Sequence, residues 1–152
     1  MKMTDDTTVL VIDDDVTLNR MLCAQLKAGG YTTIGAHCWS EAESLLGERE
    51  PSLALLDIKL PDANGLEKME QLKEVCPVIV LTAYGTIDQA VMAIKRGAAD
   101  YLAKPVNPDA LDLTVKRTLS MLQLQRNYEF YKRQALSGAE QTLVGKSTPM
   151  ME

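Results

Sequence analysis

The feature that most constrains this chain is a set of short apolar runs, each stopping at a polar or charged residue. Leu53, Ala54, Leu55 and Leu56 run straight into Asp57, and Val9, Leu10, Val11 and Ile12 run into Asp13, Asp14 and Asp15. Val78, Ile79, Val80 and Leu81 stop at Thr82, and a short fifth strand, Asp100 to Ala103, stops at Lys104. A run with no polar position leaves no side for water, so each reads as a strand buried on both faces, as in a parallel sheet covered by helices. Ligands of such a sheet bind outside the carboxyl ends of its strands. The chemistry of this chain should therefore gather where the aspartates, Thr82 and Lys104 stand.

Between the runs the pattern changes to helical spacing. Leu18, Leu22 and Leu26 recur until Gly29 and Gly30 stop a helix. Tyr31 to Ala36 reads as a short second strand, and Ser40 with Glu43 has the form of a capping box ahead of Ala42, Leu45 and Leu46. Leu66, Met69 and Leu72 make one face of a third helix after the loop from Pro61 to Gly65, whose glycine suits a position of positive φ. Thr86 offers a cap for a fourth helix with the apolar face Ile87, Ala90, Val91 and Ile94, ended by Gly97, and Asn107 before Pro108 caps a fifth. Met21, Met69 and Met92 read as core filler, and Trp39 as a rim residue before a helix cap. Strands alternating with helices predict an α/β fold: a flavodoxin-like, doubly wound, five-stranded parallel sheet of order 2-1-3-4-5 with an extended C-terminal helix. That order sets the first and third strands side by side, which would bring Asp13, Asp14 and Asp57 together.

Composition removes several classes of function. A formal net charge of -5 without a basic run gives no footprint for direct nucleic-acid binding and nothing to attract an anionic membrane. No apolar run approaches the roughly 18 residues of a membrane span, and the N-terminus lacks a signal-peptide core, so the expected location is cytoplasmic. Cys23, Cys38 and Cys76 are odd in number and lack CxxC spacing, which predicts free thiols, and a single histidine, His37, leaves little material for histidine-based sites. With 46% hydrophobic residues in 152, a real core is within reach.

Several carboxylates within a few ångströms cannot all stay ionised without a cation, and oxygen ligands with room for water suit Mg²⁺. One of the aspartates, Asp15, also fits as a helix cap. Lys104 adds a positive charge opposite them and Thr82 a hydroxyl, so the set has the parts of a phosphoryl-transfer site with a carboxylate as acceptor. There is no GxxxxGK[ST] loop, which argues against a nucleoside triphosphate as direct donor.

Val11-Ile12-Asp13-Asp14-Asp15, Leu55-Leu56-Asp57 with Pro61 to Gly65, Leu81-Thr82-Ala83 and Tyr101-Leu102-Ala103-Lys104-Pro105 together resemble the response-regulator receiver domain of two-component signalling, over residues 7–122. The resemblance implies that Asp57 accepts a phosphoryl group from the phosphohistidine of a sensor histidine kinase. It also implies that Asp13 and Asp14 hold Mg²⁺ with Asp57 and the backbone carbonyl of Lys59. Lys104 would pair with the acyl phosphate, Thr82 would turn toward it, and Tyr101 would swing inward as a switch. The Lys104–Pro105 peptide would be cis. The stretch from Asp57 to Thr82 is slightly shorter than is usual in the family, with the trimming between Val75 and Val78. A rival remains, because Asp13-x-Asp15-x-Thr17 fits the DxDx[TV] nucleophile motif of haloacid-dehalogenase-like phosphatases, with Thr82 and Lys104 as later motifs. That reading finds no acidic pair after Lys104 and leaves Asp57 idle. A degenerate docking receiver, or a receiver of another output class, is the other alternative.

The fifth helix has two apolar faces. Leu111, Val115, Leu119 and Leu122 suit the body of the domain, whereas Met121, Leu124, Tyr128, Tyr131 and Ala135 have the spacing of a coiled-coil seam and predict a homodimer through this helix. Nothing breaks the helix until about Gly138. The expected division is a receiver at 7–122, a linker helix and dimerisation segment at 123–137, and a linker with the start of an ATPase domain at 138–152. Thr142 to Met151 resembles the first residues of the ATPase domain of sigma-54-dependent transcriptional activators. The resemblance implies a regulatory part whose phosphorylation switches a dimer or an output domain, with DNA and sigma-54 RNA polymerase reached through further domains.

Overall fold

The apolar runs pair as expected in the computed structural model, which describes residues 7–83 and 87–142, with side chains as far as residue 135. Numbering only the strands of the main sheet, the order is β1 Thr8–Ile12, α1 Val16–Ala28, β2 Thr32–Ala36, α2 Trp39–Glu48, β3 Leu53–Asp57, α3 Gly65–Leu72, β4 Val78–Thr82, α4 Ile87–Lys95, β5 Asp100–Ala103 and α5 Pro108–Thr142. The strands form one parallel sheet of order β2-β1-β3-β4-β5, the flavodoxin-like doubly wound arrangement. A small antiparallel ladder, Lys59–Leu60 with Ala63–Asn64, follows β3. The chain divides into two units, Met1–Thr118 and Leu119–Glu152.

Every residue of β1, β3 and β4 is buried, as unbroken apolar runs require. Leu10, Ile12, Leu56 and Val80 join Trp39, Met69 and Leu72 in one core cluster. Alternation along the strands sends Val9, Val11, Leu55 and Ile79 to the other face, and the buried Leu22 and Leu26 of α1 and Leu111 and Val115 of α5 lie outside the first cluster. Among the described residues no helix is long and apolar enough to cross a membrane. Cys23, Cys38 and Cys76 are free thiols, and burial pushes Cys76 up to about 12.

Several local expectations are corrected. Helix α2 begins at Trp39, so Ser40 lies inside it and forms no capping box; Cys38, at the cap position, makes no side-chain bond. The exposed amides are met from a distance instead, with Trp39 N and Ser40 N donating to the Asp62 carboxylate at 2.9 and 3.0 Å. Trp39 is not a rim residue but is buried, with the Lys68 ammonium 5.5 Å from its ring. Of the three methionines only Met69 is core; Met21 and Met92 are exposed.

Gly65 does not have positive φ, which belongs to Gly30 and Gly97. Its amide donates to Ile58 O at 2.9 Å, and a Cβ there would overlap the Ile58 backbone, so close approach is what requires glycine. On α4 the buried residues are Ala90 and Ala93, while Ile87, Val91 and Ile94 are exposed. The alanine stripe lets the helix backbone sit close to the sheet, which turns the larger side chains outward. Thr86, its expected cap, lies outside the described residues.

Asn107 caps α5 as expected, its Oδ1 accepting from Asp109 N and Ala110 N. The buried face of this helix includes Thr114 and Thr118 beside Leu111 and Val115, while Leu119 and Leu122 are half-buried. The helix runs through Gly138 to Thr142, past the expected stop. Residues 143–152, which carry most of the ATPase-like stretch, lie outside the described residues. In the second unit Met121, Leu124, Tyr128, Tyr131 and Ala135 are all exposed, as is Phe130, which packs edge-on to Tyr131 at 5.6 Å.

Candidate functional site

Register delivers the acidic residues to one place. Ile12 pairs with Leu56 across β1 and β3, so Asp13 and Asp57 follow side by side at the ends of adjacent buried strands. Carboxylate oxygens of Asp13, Asp14 and Asp57 lie within 4.8 Å of one another. Asp13 is fully buried, Asp57 nearly so, and Asp14 faces solvent. Asp15 stands apart and caps α1, accepting from Leu18 N at 3.1 Å.

Two backbone amides fix the carboxylates. Asp15 N donates to Asp13 Oδ1 and Lys59 N donates to Asp57 Oδ1, both at 2.9 Å. The Lys59 side chain points to solvent. Lys104 Nζ donates to Asp57 Oδ2 at 3.0 Å and stands at the same distance from Asp13 Oδ2 without hydrogen-bond alignment. Thr82, buried at the end of β4, pairs with Ala103, and its carbonyl accepts from Lys104 N at 2.9 Å, so the lysine is anchored at its backbone. The Lys104–Pro105 peptide is cis. Asp13, Asp14, Asp57 and Lys104 are thus together, with Thr82 at the neighbouring strand end. Tyr101 is apart from them, with 43% of its surface exposed.

Three carboxylates face one ammonium. Burial, reinforced by the charge of Asp57, lifts the Asp13 carboxyl above its ordinary value against the opposing pull of Asp15 N and Lys104. Burial works to lower Lys104, but its close contacts and charge pairing with Asp13 and Asp57 outweigh it and hold the ammonium above its usual value. A carboxyl raised in the native state favours folding below its unfolded pKa, and that contribution is lost as pH rises through the higher folded value. Ionised Asp13 is therefore a net cost to the fold at neutral pH. Among the described residues its buried Oδ2 receives no aligned hydrogen bond and is met only by the Lys104 ammonium at 3.0 Å. A hard divalent cation that keeps several waters fits this set, since two buried carboxylates supply anionic oxygens and the exposed Asp14 marks the wet side.

An Asp13→Asn protein should accordingly be at least as stable as wild type in metal-free buffer at neutral pH. Mg²⁺ at ten times its Kd should stabilise wild type by about 1.4 kcal/mol and leave the variant unmoved. Thermal melts with and without Mg²⁺ read both effects, and a variant that Mg²⁺ still stabilises would take Asp13 out of the metal set.

Two residues that carry this geometry have no place in the sequence expectations. Asn19 is buried on α1 and its Nδ2 donates to Ala36 O, Asp13 O and Val11 O at 2.9, 3.1 and 3.3 Å. Its signal was a polar residue between Leu18 and Leu22 on the inward face. Asp62 ties the segment after β3 to the start of α2, and the amides of Trp39 and Ser40 hold its carboxyl below the ordinary range. No local pattern announces that pairing.

Residues 9–116 match the model of the response regulator receiver domain. The chain belongs to this family. It is 40% identical over 112 residues to the photosynthetic apparatus regulatory protein RegA of Rhodobacter capsulatus, covering 72% of this chain and 60% of RegA. It is 37% identical over 124 residues to the alginate biosynthesis transcriptional regulatory protein AlgB of Pseudomonas putida, covering 80% of this chain but 28% of AlgB. Among solved structures, NtrX from Brucella abortus superposes with a TM-score of 0.78 at 32% identity, over 82% of this chain and 29% of that one. This receiver thus spans a minor part of AlgB and NtrX. The phosphatase alternative loses its footing with the family, and with Asp15 engaged as a helix cap while Asp57 stands in the acidic cluster.

Proposed function

We propose that this receiver takes a phosphoryl group onto Asp57 from the phosphohistidine of a sensor histidine kinase and passes the event on as a change of assembly or output. The observation that carries this reading is the Asp57 carboxylate at the end of a buried strand, tied to Lys104 at 3.0 Å and grouped with Asp13 and Asp14. An Asp57 oxygen forms the new P–O bond as the P–N bond breaks, and the departing imidazole takes its proton from solvent. Asp13, Asp14, Asp57 and the Lys59 carbonyl would hold Mg²⁺, which supplies neutralisation of charge on the phosphoryl oxygens. Lys104 pairs with the phosphoryl group it is already placed to meet. The chain would be a phosphoacceptor that promotes transfer to its own Asp57 and slow hydrolysis from it, not an enzyme acting on other substrates.

On this reading the Thr82 hydroxyl is drawn toward the new phosphoryl group and Tyr101 turns from its exposed position into the space vacated. Such a switch needs two conformations that phosphate biases. Mg²⁺ and acetyl phosphate should add one phosphoryl group to the intact mass. Beryllofluoride, a stable mimic of the acyl phosphate, should alter hydrogen exchange across residues 83–105. A mass without the added group, or identical exchange profiles, would tell against the reading.

We also propose that Met121, Leu124, Tyr128, Tyr131 and Ala135 form the seam of a homodimer. A row of exposed large apolar side chains on one helix is a patch that soluble monomers seldom carry. Burying Leu124, Tyr128 and Tyr131 is worth roughly 1.5–3 kcal/mol each before association entropy is subtracted, which suits an adjustable dimer. Joint replacement of Leu124 and Tyr128 by Glu should give a sedimenting monomer that still takes phosphate; a variant that stays dimeric would put the interface elsewhere. Likeness to a transcriptional regulatory protein supports the further proposal that this is the regulatory part of a cytoplasmic sigma-54-dependent activator. DNA and sigma-54 RNA polymerase would then be engaged through other domains.

A further inference from the structure

We infer that Asn19 is a positioning residue for the acidic site: its buried carboxamide, tied to the carbonyls of Asp13 and Ala36, sets the orientation from which Asp13 and Asp14 meet a divalent cation. The inference rests on the reading of that cluster as an Mg²⁺ site. Asn19 is 3% exposed, and its Nδ2 donates only to main-chain carbonyls of β1, the residue that follows it and the end of β2. The Ala36 carbonyl accepts from Asp13 N at 3.0 Å and from Asn19 Nδ2 at 2.9 Å, and the same Nδ2 binds Asp13 O at 3.1 Å. Both polar groups of the Asp13 main chain are therefore locked to one point. The peptide that launches the acidic turn cannot rotate without breaking a buried hydrogen bond.

The surroundings are fitted to this carboxamide. Its Oδ1 accepts from Cys23 Sγ at 3.5 Å, and a Cβ on Gly35 would come within 2.7 Å of that oxygen. The glycine in β2 thus leaves room for the amide. A buried amide is costly where leucine would continue the apolar face between Leu18 and Leu22, so packing alone does not favour Asn here. Groups that orient metal ligands from behind typically change metal affinity 10–100-fold when removed. Acting through backbone, Asn19 belongs at the low end of that range.

Two variants on different elements test this. Asn19→Leu keeps the shape and removes both donors, while Gly35→Ala crowds the carboxamide from an exposed position on the edge strand. Each should weaken Mg²⁺ binding, measured by calorimetry on the folded full chain, by about tenfold. The rate with acetyl phosphate should fall at low Mg²⁺ and recover at saturating Mg²⁺. In metal-free protein the Asp15 amide, held by Asp13 Oδ1, should exchange faster. Leu22→Ala, a neighbouring cavity that leaves the amide alone, should lower stability without changing Mg²⁺ affinity. If both test variants bind Mg²⁺ as wild type does, Asn19 is a structural asparagine and the inference fails. If Asn19→Leu does not fold, Gly35→Ala decides alone. Wild type that binds no Mg²⁺ would overturn the metal reading and this inference with it.

Discussion

An Asp57→Asn protein should take up no phosphoryl group from acetyl phosphate and Mg²⁺ under conditions in which wild type takes one. The carboxamide fills the same space at the end of β3, but its nitrogen is no nucleophile and its oxygen carries no charge for Lys104. Loss of an essential nucleophile slows the reaction roughly 10³-fold or more. The fold should survive, because the substitution removes a negative charge that raises the Asp13 carboxyl and keeps an oxygen where Lys59 N donates. Intact-mass measurement over time checks the rate and circular dichroism checks the fold. Undiminished labelling of the variant would move the acceptor to another residue.

Gly65→Ala should cost about 3 kcal/mol of unfolding free energy, at the upper end of what overpacking does. The added methyl overlaps the Ile58 carbonyl, Cα and carbonyl carbon, all backbone, so no flexible side chain can give way. Relief must come from moving Ile58 and its neighbours, and with them Asp57 and the Lys59 amide that holds it. Against a usual total of about 5–15 kcal/mol, that loss shows clearly in a urea melt. Gly47→Ala is the contrast: nothing lies within 4 Å of its Cβ position in α2, and the change should stabilise by about 0.5–1 kcal/mol. A Gly65→Ala protein as stable as wild type would show that the acceptor loop yields easily.

The sheet was legible because burial on both faces demands unbroken apolar runs, and the acidic site because Asp13, Asp14 and Asp57 follow such runs directly. Spacing within one element was read well wherever a single stripe of large residues existed, as in Leu22 and Leu26. On α4 it holds for Ala90 alone: Ala93 joins it inside while Ile87, Val91 and Ile94 face out, and only the depth of the seat decides which stripe turns inward. It failed on Ser40, whose capping pattern is real as a motif but was displaced by Asp62, a partner remote in sequence. Gly65 looks in sequence like a conformational glycine, yet what it permits is close approach to the Ile58 backbone just beyond β3, which no local pattern records. Asn19 carries no signature in the sequence because its amide donates to backbone carbonyls, whose positions the sequence does not list by residue type.

The alanine seat of α4 has a mechanical consequence. A helix resting on methyl groups has no knobs to withdraw from holes, so sliding it by a fraction of a turn opens none of the voids that displaced leucines would leave. Any alternative seating should therefore cost little, and the outward Ile87, Val91, Met92 and Ile94 would travel with the helix. A coupling of about 1–3 kcal/mol, the usual scale between two sites, is enough to choose among them. Under the proposed switch, phosphate on Asp57 would act less by releasing a spring than by tipping a balance trimmed close to level.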